Sequence, residues 1–539
     1  MKKALYILIP LFIALALRLY PTVISGMPFS TDAWPLIRNT NLLIQNTPIP
    51  LNSKIFDGYN NFWPASSLFA AILSLVINLP PITTMAFGIP IAAALTIPLF
   101  YFIVKKITQN SKISLIATVL LATAFPYTLL TAGVTKETFA NPIYFSIILI
   151  FLLKHNWKTT FLFTIASIAL VLSHHLTAFL TIGIIASITI ASYIAKPNKD
   201  QKTNSAKSNI LLLAIVSTMT ALYFGLYAYP ALATVVITIT PSDLLTVAAY
   251  QIIALAAILY IVHISSKESP LTTILKCSLS LIMITIFFFL ATQISILPIA
   301  PIIPLRYFLY ATPLIIAVPL TIFALSKLHQ KKLSLLLPLF WLLPAIAFAT
   351  YGVFANPPDG LTFAVRSIDF ILPPLTILIA IGIYKLYTTP KHLKTRKLTK
   401  IIALIAVFSM VTLNTYSLYA AVSLQEPCLG YFWRYEPSEY HASNWIAINA
   451  NNQTVAGDSK VYYLLHGYFN ENVNIQQGLQ YLDGNGSAPQ ILYIYNQMYT
   501  NGYVLYEGIP ITLPANWTNK LTDYNIIYAN SQVTIYAKR

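Results

Sequence analysis

Runs of roughly 20 apolar residues are long enough, as helix, to cross a hydrocarbon core of about 30 Å. Such runs recur in this chain from Ala4 to about Ser423, separated by short polar punctuation. Candidate spans fall at 4–23, 66–80, 83–104, 113–131, 140–153, 159–173, 176–195, 209–229, 244–264, 271–292, 307–327, 332–353, 370–387 and 401–423. With 57% hydrophobic residues, 9% charged residues and a mean hydropathy of +0.69, the composition excludes an ordinary soluble domain. The expected fold class is therefore an α-helical polytopic membrane protein.

Lys and Arg set the expected orientation, because short cytoplasmic loops collect them. Basic loops occur at Lys2-Lys3, Lys105 to Lys112, Lys154 to Lys158, KPNKDQKTNSAK, Lys267, Lys327 to Lys332 and Lys385 to Lys400. They hold 21 of the 33 basic residues against only two acids, Asp200 and Glu268, so they are assigned to the cytoplasmic side. Alternate loops carry Asp32, Asp57, Glu137, Asp243, Asp359 and Asp369, which places the carboxylates outside. This alternation holds only if one of 66–80 and 83–104, joined at Pro80-Pro81, is partial or re-entrant, which leaves about 13 transmembrane helices. MKKALYILIP reads as the start of a retained helix with its lysines inside, since no small-x-small cleavage site follows.

The formal charge of +17 lies mostly in those cytoplasmic loops, where an anionic leaflet explains it, so no nucleic-acid partner is expected. Cys277 and Cys428 fall on different sides or depths, and no bridge is expected. Domains are expected at 1–423 and 424–539, with the first outer loop at 24–65. The tail is polar, rich in Tyr and Asn, and carries the sequons Asn452-Gln-Thr, Asn485-Gly-Ser and Asn516-Trp-Thr, which agrees with an extracytoplasmic α/β domain. PSEYHASNWIAINA reads as a helix capped by Ser438, QILYIYNQMY and YVLYEGI as strands, and IIYANSQVTIYAK as a hairpin turning at Asn530-Ser531.

Candidate chemistry gathers on the outer connections. GMPFSTDAWPLIRN opens the longest of them, and the stretch from Thr31 to Gln45 reads as a short interfacial helix with Thr31 or Asp32 at its start. Asp32 is either a helix cap or a reactive acid. In LTAGVTKETFANP, Lys136 and Glu137 form a charged pair in a tight turn, either anchoring the interface or serving a site. His174 and His175 in SHHLT are adjacent rather than at i, i+4, so they suit hydrogen bonding to phosphate or sugar and not a shared metal. Arg18, Arg38, Arg306 and Arg366 bring permanent charge suited to phosphate oxygens, although Arg366 and Asp369 at i, i+3 can also pair with each other.

LALRLYP followed by STDAW, the YNNFWP entry to the next span, FPYTLLTAGVTKE and LSHHLTAF resemble the GT-C superfamily of polyprenyl-phosphate-dependent glycosyltransferases. The likeness is to archaeal multi-pass members related to protein mannosyltransferases and oligosaccharyltransferase catalytic subunits. It covers about Met1 to Ala195 by motif and the rest by architecture. It implies a hexosyltransferase-type enzyme using a polyprenyl (dolichyl) phosphate sugar, with a glycan, lipid or protein acceptor, at a cell membrane. Asp32 matches the first-loop acid, a general base or metal ligand, and Glu137 the second-loop acid. Arg306 or Arg366 would neutralise the donor phosphate. The second connection reads TKE without a DxD pair, and the tail has WRYEP rather than WWDYG. Those departures point to transfer of a single sugar without a metal or other cofactor, not to glycosylation of protein Asn.

Two other function classes share parts of this pattern, a flippase of lipid-linked sugars and a non-catalytic membrane scaffold. The absence of an internal repeat and of mid-span acids counts against the flippase.

Overall fold

The computed structural model describes all residues except 1, 47, 49–55, 57, 196–205, 232–239, 265–268, 295–301, 327, 356–359, 389–392, 451–452 and 507–508. Asp57, Asp200, Lys267, Glu268, Lys327, Asp359 and the sequon at Asn452 lie outside the described residues. Among those described, ten helices are long and apolar enough to cross a membrane, or up to eleven if the bent pair Ser111–Thr123 and Phe125–Ala132 is one span. Shorter apolar helices are Ala65–Ile77 and Trp157–Ser173. Ala65–Ile77 has 13 residues, about 20 Å of helix, too short to cross alone, whereas Pro81–Thr108 has 28. The partial segment beside Pro80-Pro81 is thus the first of the two.

Compactness divides the chain differently from chain order. A helical unit comprises Met1–Leu17, Ala94–Leu130 and Ala140–Leu418, and a mixed unit comprises Arg18–Ala93, Thr131–Phe139 and Tyr419–Arg539. In the helical unit, the span expected at 113–131 is broken at Ala124, and its two helices are bent by 60°. The cause is Pro126, which has no N–H for the carbonyl four residues before it and whose ring clashes with that carbonyl, so it is accommodated in the first turn of a new helix, Phe125–Ala132. Phe125 N donates to Asn414 Oδ1 at 3.0 Å, so the break leaves that amide paired. The span expected at 370–387 is the end of a longer helix, Gly360–Thr388, so Arg366 and Asp369 sit inside a helix rather than in a connection. This helix crosses Phe308–Leu325 so closely that a Cβ on Gly382 would collide with the Leu320 carbonyl, a contact that only glycine permits.

The tail, within the mixed unit, holds β1 (Val455–Ala456), β2 (Val473–Asn474), β3 (Ile491–Tyr495), β4 (Tyr503–Tyr506), β5 (Ile509–Thr512), β6 (Tyr524–Ala529) and β7 (Val533–Lys538). One sheet has the order β2-β1-β3-β7-β6, with β1 parallel to β2 and β3 and the remaining pairs antiparallel, and β4 pairs with β5. All of ILYIY in β3 is buried, as a central strand covered on both faces requires. The strand expected through Tyr499 stops at Tyr495, where the helix Asn496–Asn501 takes over. The hairpin does turn at Asn530-Ser531, where Asn530 Oδ1 accepts from Gln532 N and Val533 N. The helix expected to be capped by Ser438 instead starts at Pro437, which suits a first helical position, with Glu436 as its cap and Glu439 closing the capping box.

A polar knot lies inside this domain. Lys460 Nζ meets Glu439 Oε1 at 2.6 Å, with Tyr435 and Tyr495 rings 4.9 and 4.6 Å from the ammonium. Asp458 accepts from Tyr495 Oη at 2.5 Å, Leu505 N at 2.8 Å and Val461 N at 3.1 Å. Burial pushes the Glu439 carboxyl up against the opposing pull of Lys460, and burial likewise raises Asp458. Removing one partner of such a pair leaves a buried charge and costs about 3–5 kcal/mol. Lys460→Met is therefore expected to lower the melting temperature of the purified full chain. Adding Glu439→Gln should recover part of the loss, because a neutral amide still accepts from Glu436 N. Equal melting of single and double variants would contradict a charged pair here.

Candidate functional site

The first loop leaves the helix Lys2–Ser25 through Gly26, whose φ of +71° suits glycine and whose N–H returns to the Thr22 carbonyl at 2.8 Å. Two backbone hydrogen bonds then fix the next turn. The Phe29 carbonyl accepts from Val134 N at 2.8 Å, and Ser30 N donates to the Trp433 carbonyl at 2.9 Å. The Phe29 ring also meets Trp433 edge-on at 5.8 Å. Ser30 is held at φ +100°, a region that costs a non-glycine residue about 1–3 kcal/mol. Its Oγ accepts from Asp32 N and its carbonyl from Ala33 N, both at 3.3 Å, so the strained turn starts the helix Ala33–Gln45.

Asp32 occupies the position before that helix in right-handed geometry, φ −65° and ψ −12°, and its side chain makes no capping hydrogen bond. A capping Asp instead takes extended geometry and accepts from the second or third helical N–H. The half-buried Asp32 carboxylate is thus not committed to its helix. The helix itself does not rest its apolar face on an interface. Trp34, Leu36 and Ile37 enter the unit's core with Met85, Val134, Tyr435 and Leu464, and Trp34 lies 5.1–6.1 Å from the rings of Tyr435, Tyr440 and Tyr468. Arg38, on this helix, is half-buried, and Arg18 is fully buried.

Lys136 and Glu137 are not in a tight turn but in the first turn of the helix Lys136–Leu152. Thr135 starts it by accepting from Thr138 N at 3.0 Å. A carboxylate there is favoured by the helix dipole. Both side chains are buried, at 9% and 4% exposure. The Lys136 ammonium lies 4.1 Å from the Tyr59 ring centre and 5.0 Å from that of Trp63. The YNNFW end of the first loop thus cradles the second connection by cation–π attraction, while the start of the loop bonds it at Val134. Phe29 and Asp32 lie three residues apart, as do Val134 and Glu137, so each acid follows the same shared hydrogen bond at equal chain distance.

In the helical unit, the connection expected at SHHLT shrinks to His174, extended at φ −160° between the helices Trp157–Ser173 and His175–Ile194. Buried His174 has Nδ1 2.8 Å from Thr177 Oγ1, and its ring centre is 4.8 Å from that of half-buried His175. Arg306 is exposed, with its guanidinium 5.6 Å from the Tyr307 ring centre, and Arg366 is half-buried. Asp369 is buried and accepts from Asn141 Nδ2 at 3.3 Å. Among the described residues no three His, Cys, Asp or Glu side chains gather as a metal-holding group.

No family model matches the sequence, and no characterised protein matches it at the level of sequence. Solved structures do match. The Archaeoglobus fulgidus oligosaccharyltransferase tethered to an acceptor peptide containing the NVT sequon superposes with a TM-score of 0.58 at 13% identity, over 99% of this chain and 74% of that one. The same enzyme, AglB, in complex with an inhibitory peptide and a dolichol-phosphate gives the same values. ArnT from Cupriavidus metallidurans also matches, with a TM-score of 0.49 at 9% identity over 100% and 98% of the two chains. The chain has a GT-C fold.

Ser30, Tyr59, Trp63, Trp433 and Asn141 are neighbours of candidate residues that the sequence did not name as site residues, although STDAW, YNNFWP and WRYEP contain four of them. For Tyr59 and Trp63 the signal was the aromatic density of YNNFW. The Ser30 turn is directly testable: Ser30→Gly removes the strain and should leave thermal stability within about 1 kcal/mol of wild type, whereas the β-branched Ser30→Val should lose about 1–3 kcal/mol more. Equal stability of the two variants would contradict a left-handed Ser30.

Proposed function

We propose that this protein is a membrane glycosyltransferase that moves a single sugar from a polyprenyl (dolichyl) phosphate donor to an acceptor on the extracytoplasmic face. The observation that carries the reading is Asp32, a carboxylate not used as a helix cap, in a strained turn bonded to both the second connection and the tail. The GT-C fold supports it, as does the solved AglB complex with a dolichol-phosphate. The distribution of Lys and Arg supports an inside N-terminus and an outside tail.

In this reading Asp32 takes the proton from an acceptor hydroxyl. The oxygen attacks the anomeric carbon, the bond from that carbon to the phosphate oxygen breaks, and its electron pair leaves with the polyprenyl phosphate. The proton remains on Asp32. Such general-base help is worth about 10²–10⁴-fold in rate. Lys136, with Arg18 and Arg38, is assigned to developing negative charge on the phosphate, and Glu137 to the acceptor or to Asp32 itself. No metal or other cofactor has a role in this scheme.

Transfer of labelled sugar from polyprenyl-phosphate donors by the purified full chain tests the reading. Asp32→Asn is expected to lower kcat about 100-fold or more while donor binding persists. Full activity of the variant would rule out the base, and movement of donor lipid without sugar transfer would favour a flippase.

A further inference from the structure

All three Asn-x-Ser/Thr sequons of the chain, Asn452-Gln-Thr, Asn485-Gly-Ser and Asn516-Trp-Thr, fall in the tail, although Asn residues are spread over the whole sequence. Such a pattern accepts N-linked sugar only where it meets solvent, because the added glycan is bulky and polar. At Asn516-Trp-Thr the two side chains that matter, Asn516 and Thr518, are both exposed. Trp517 between them is buried, with its ring centre 5.0 Å from that of Tyr499. The buried indole anchors the middle of the sequon and leaves its two ends at the surface.

The backbone of this segment is fixed, and the Asn516 amide is not spent on fixing it. Trp517 N donates to the Pro514 carbonyl at 3.1 Å and Asn519 N to the Asn516 carbonyl at 3.1 Å, while the Asn516 side chain makes no capping hydrogen bond. Lys520, on the short helix Trp517–Asp523 that follows, donates to the Tyr481 carbonyl at 2.7 Å, and Tyr481 Oη donates back to the Lys520 carbonyl at 2.7 Å. The sequon is thereby locked to the helix Ile475–Asp483. Asn485, just beyond that helix, is also exposed, but its amide nitrogen, the atom that would carry sugar, donates to Asp483 Oδ2 at 2.8 Å. Asn516 instead presents an uncommitted amide nitrogen on a fixed, open surface.

We propose that Asn516 is an N-glycosylation site of this protein, a proposal that rests on the extracytoplasmic placement of the tail in the reading above. The sugar comes from a polyprenyl-linked oligosaccharide phosphate, and a separate oligosaccharyltransferase moves it. Asn516 Nδ2 bonds to the anomeric carbon, the bond from that carbon to the phosphate oxygen breaks, and its electron pair leaves with the lipid phosphate. One of the two Nδ2 protons passes to a base on the transferase, so the product keeps one amide N–H. An amide nitrogen shares its lone pair with its carbonyl and does not react in this way unaided, which is why the step needs an enzyme that recognises the sequon. The exposed Thr518 hydroxyl is the recognition element.

Mass spectrometry of peptides covering Asn516, from the full chain produced in an archaeal host that N-glycosylates its surface proteins, tests this. The expected result is a glycan mass on Asn516 that is lost in Thr518→Ala and kept in Thr518→Ser, with both variants melting as the wild type does, because the exposed Thr518 side chain holds nothing in place. An unmodified Asn516 would overturn the site, as would modification confined to Asn452 or Asn485, or a glycan that survives Thr518→Ala. Protease added to sealed membrane vesicles of known sidedness separates these failures from a misplaced tail. A tail cut from the extracytoplasmic side with Asn516 unmodified overturns the site and leaves the glycosyltransferase reading standing. A tail cut only from the cytoplasmic side contradicts the orientation in that reading, and the site with it.

Discussion

The peptide between Phe29 and Ser30 is held from two sides, its carbonyl end by Val134 and the following N–H by Trp433. Much else in the mixed unit follows from these two hydrogen bonds. They force Ser30 into a left-handed conformation that serine does not choose, and they aim the chain so that Asp32 precedes a helix without capping it. Backbone hydrogen bonds carry this constraint, so it is insensitive to many side-chain changes but sensitive to any loss of the tail or of the second connection. Segments from three distant parts of the sequence thus fold as one body.

The tail's contribution is mechanical as well as topological. Each residue of WRYEP has a structural partner: the Trp433 carbonyl holds Ser30, Arg434 donates to the Val422 carbonyl and pairs with Glu436, and Tyr435 packs on Trp34. Glu436 caps the next helix and Pro437 begins it. Tyr435 Oη also donates to the Lys460 carbonyl, which ties this splice to the buried Lys460–Glu439 pair. The segment WRYEP is therefore occupied with contacts inside the mixed unit.

What the sequence disclosed, and what it hid, divides along physical lines. Hydropathy located the long helices, and the double proline marked one of 66–80 and 83–104 as partial without saying which. Alternating and continuous apolar runs revealed β3 and the final hairpin. The bend at Ala124 was hidden because Pro126 lies within an unbroken apolar run, and the inclusion of Arg366 and Asp369 in a helix because charged residues ordinarily mark the end of a span. Asp32 was visible as an isolated acid in a long loop, yet its freedom from capping depends on pairing with Trp433 across most of the sequence. A glycine at position 30 would have advertised the positive φ, but serine did not. Asn141 reads as a tolerated amide in an apolar stretch until Asp369 is placed against it.

Site-resolved hydrogen exchange of the full chain in lipid nanodiscs measures the clamp directly. The amides of Ser30 and Val134 lie in connections, where unbonded N–H groups exchange freely. If they are the donors described here, both exchange as slowly as amides inside the helix Ala33–Gln45. Exchange of either at the rate of an open loop would contradict the account.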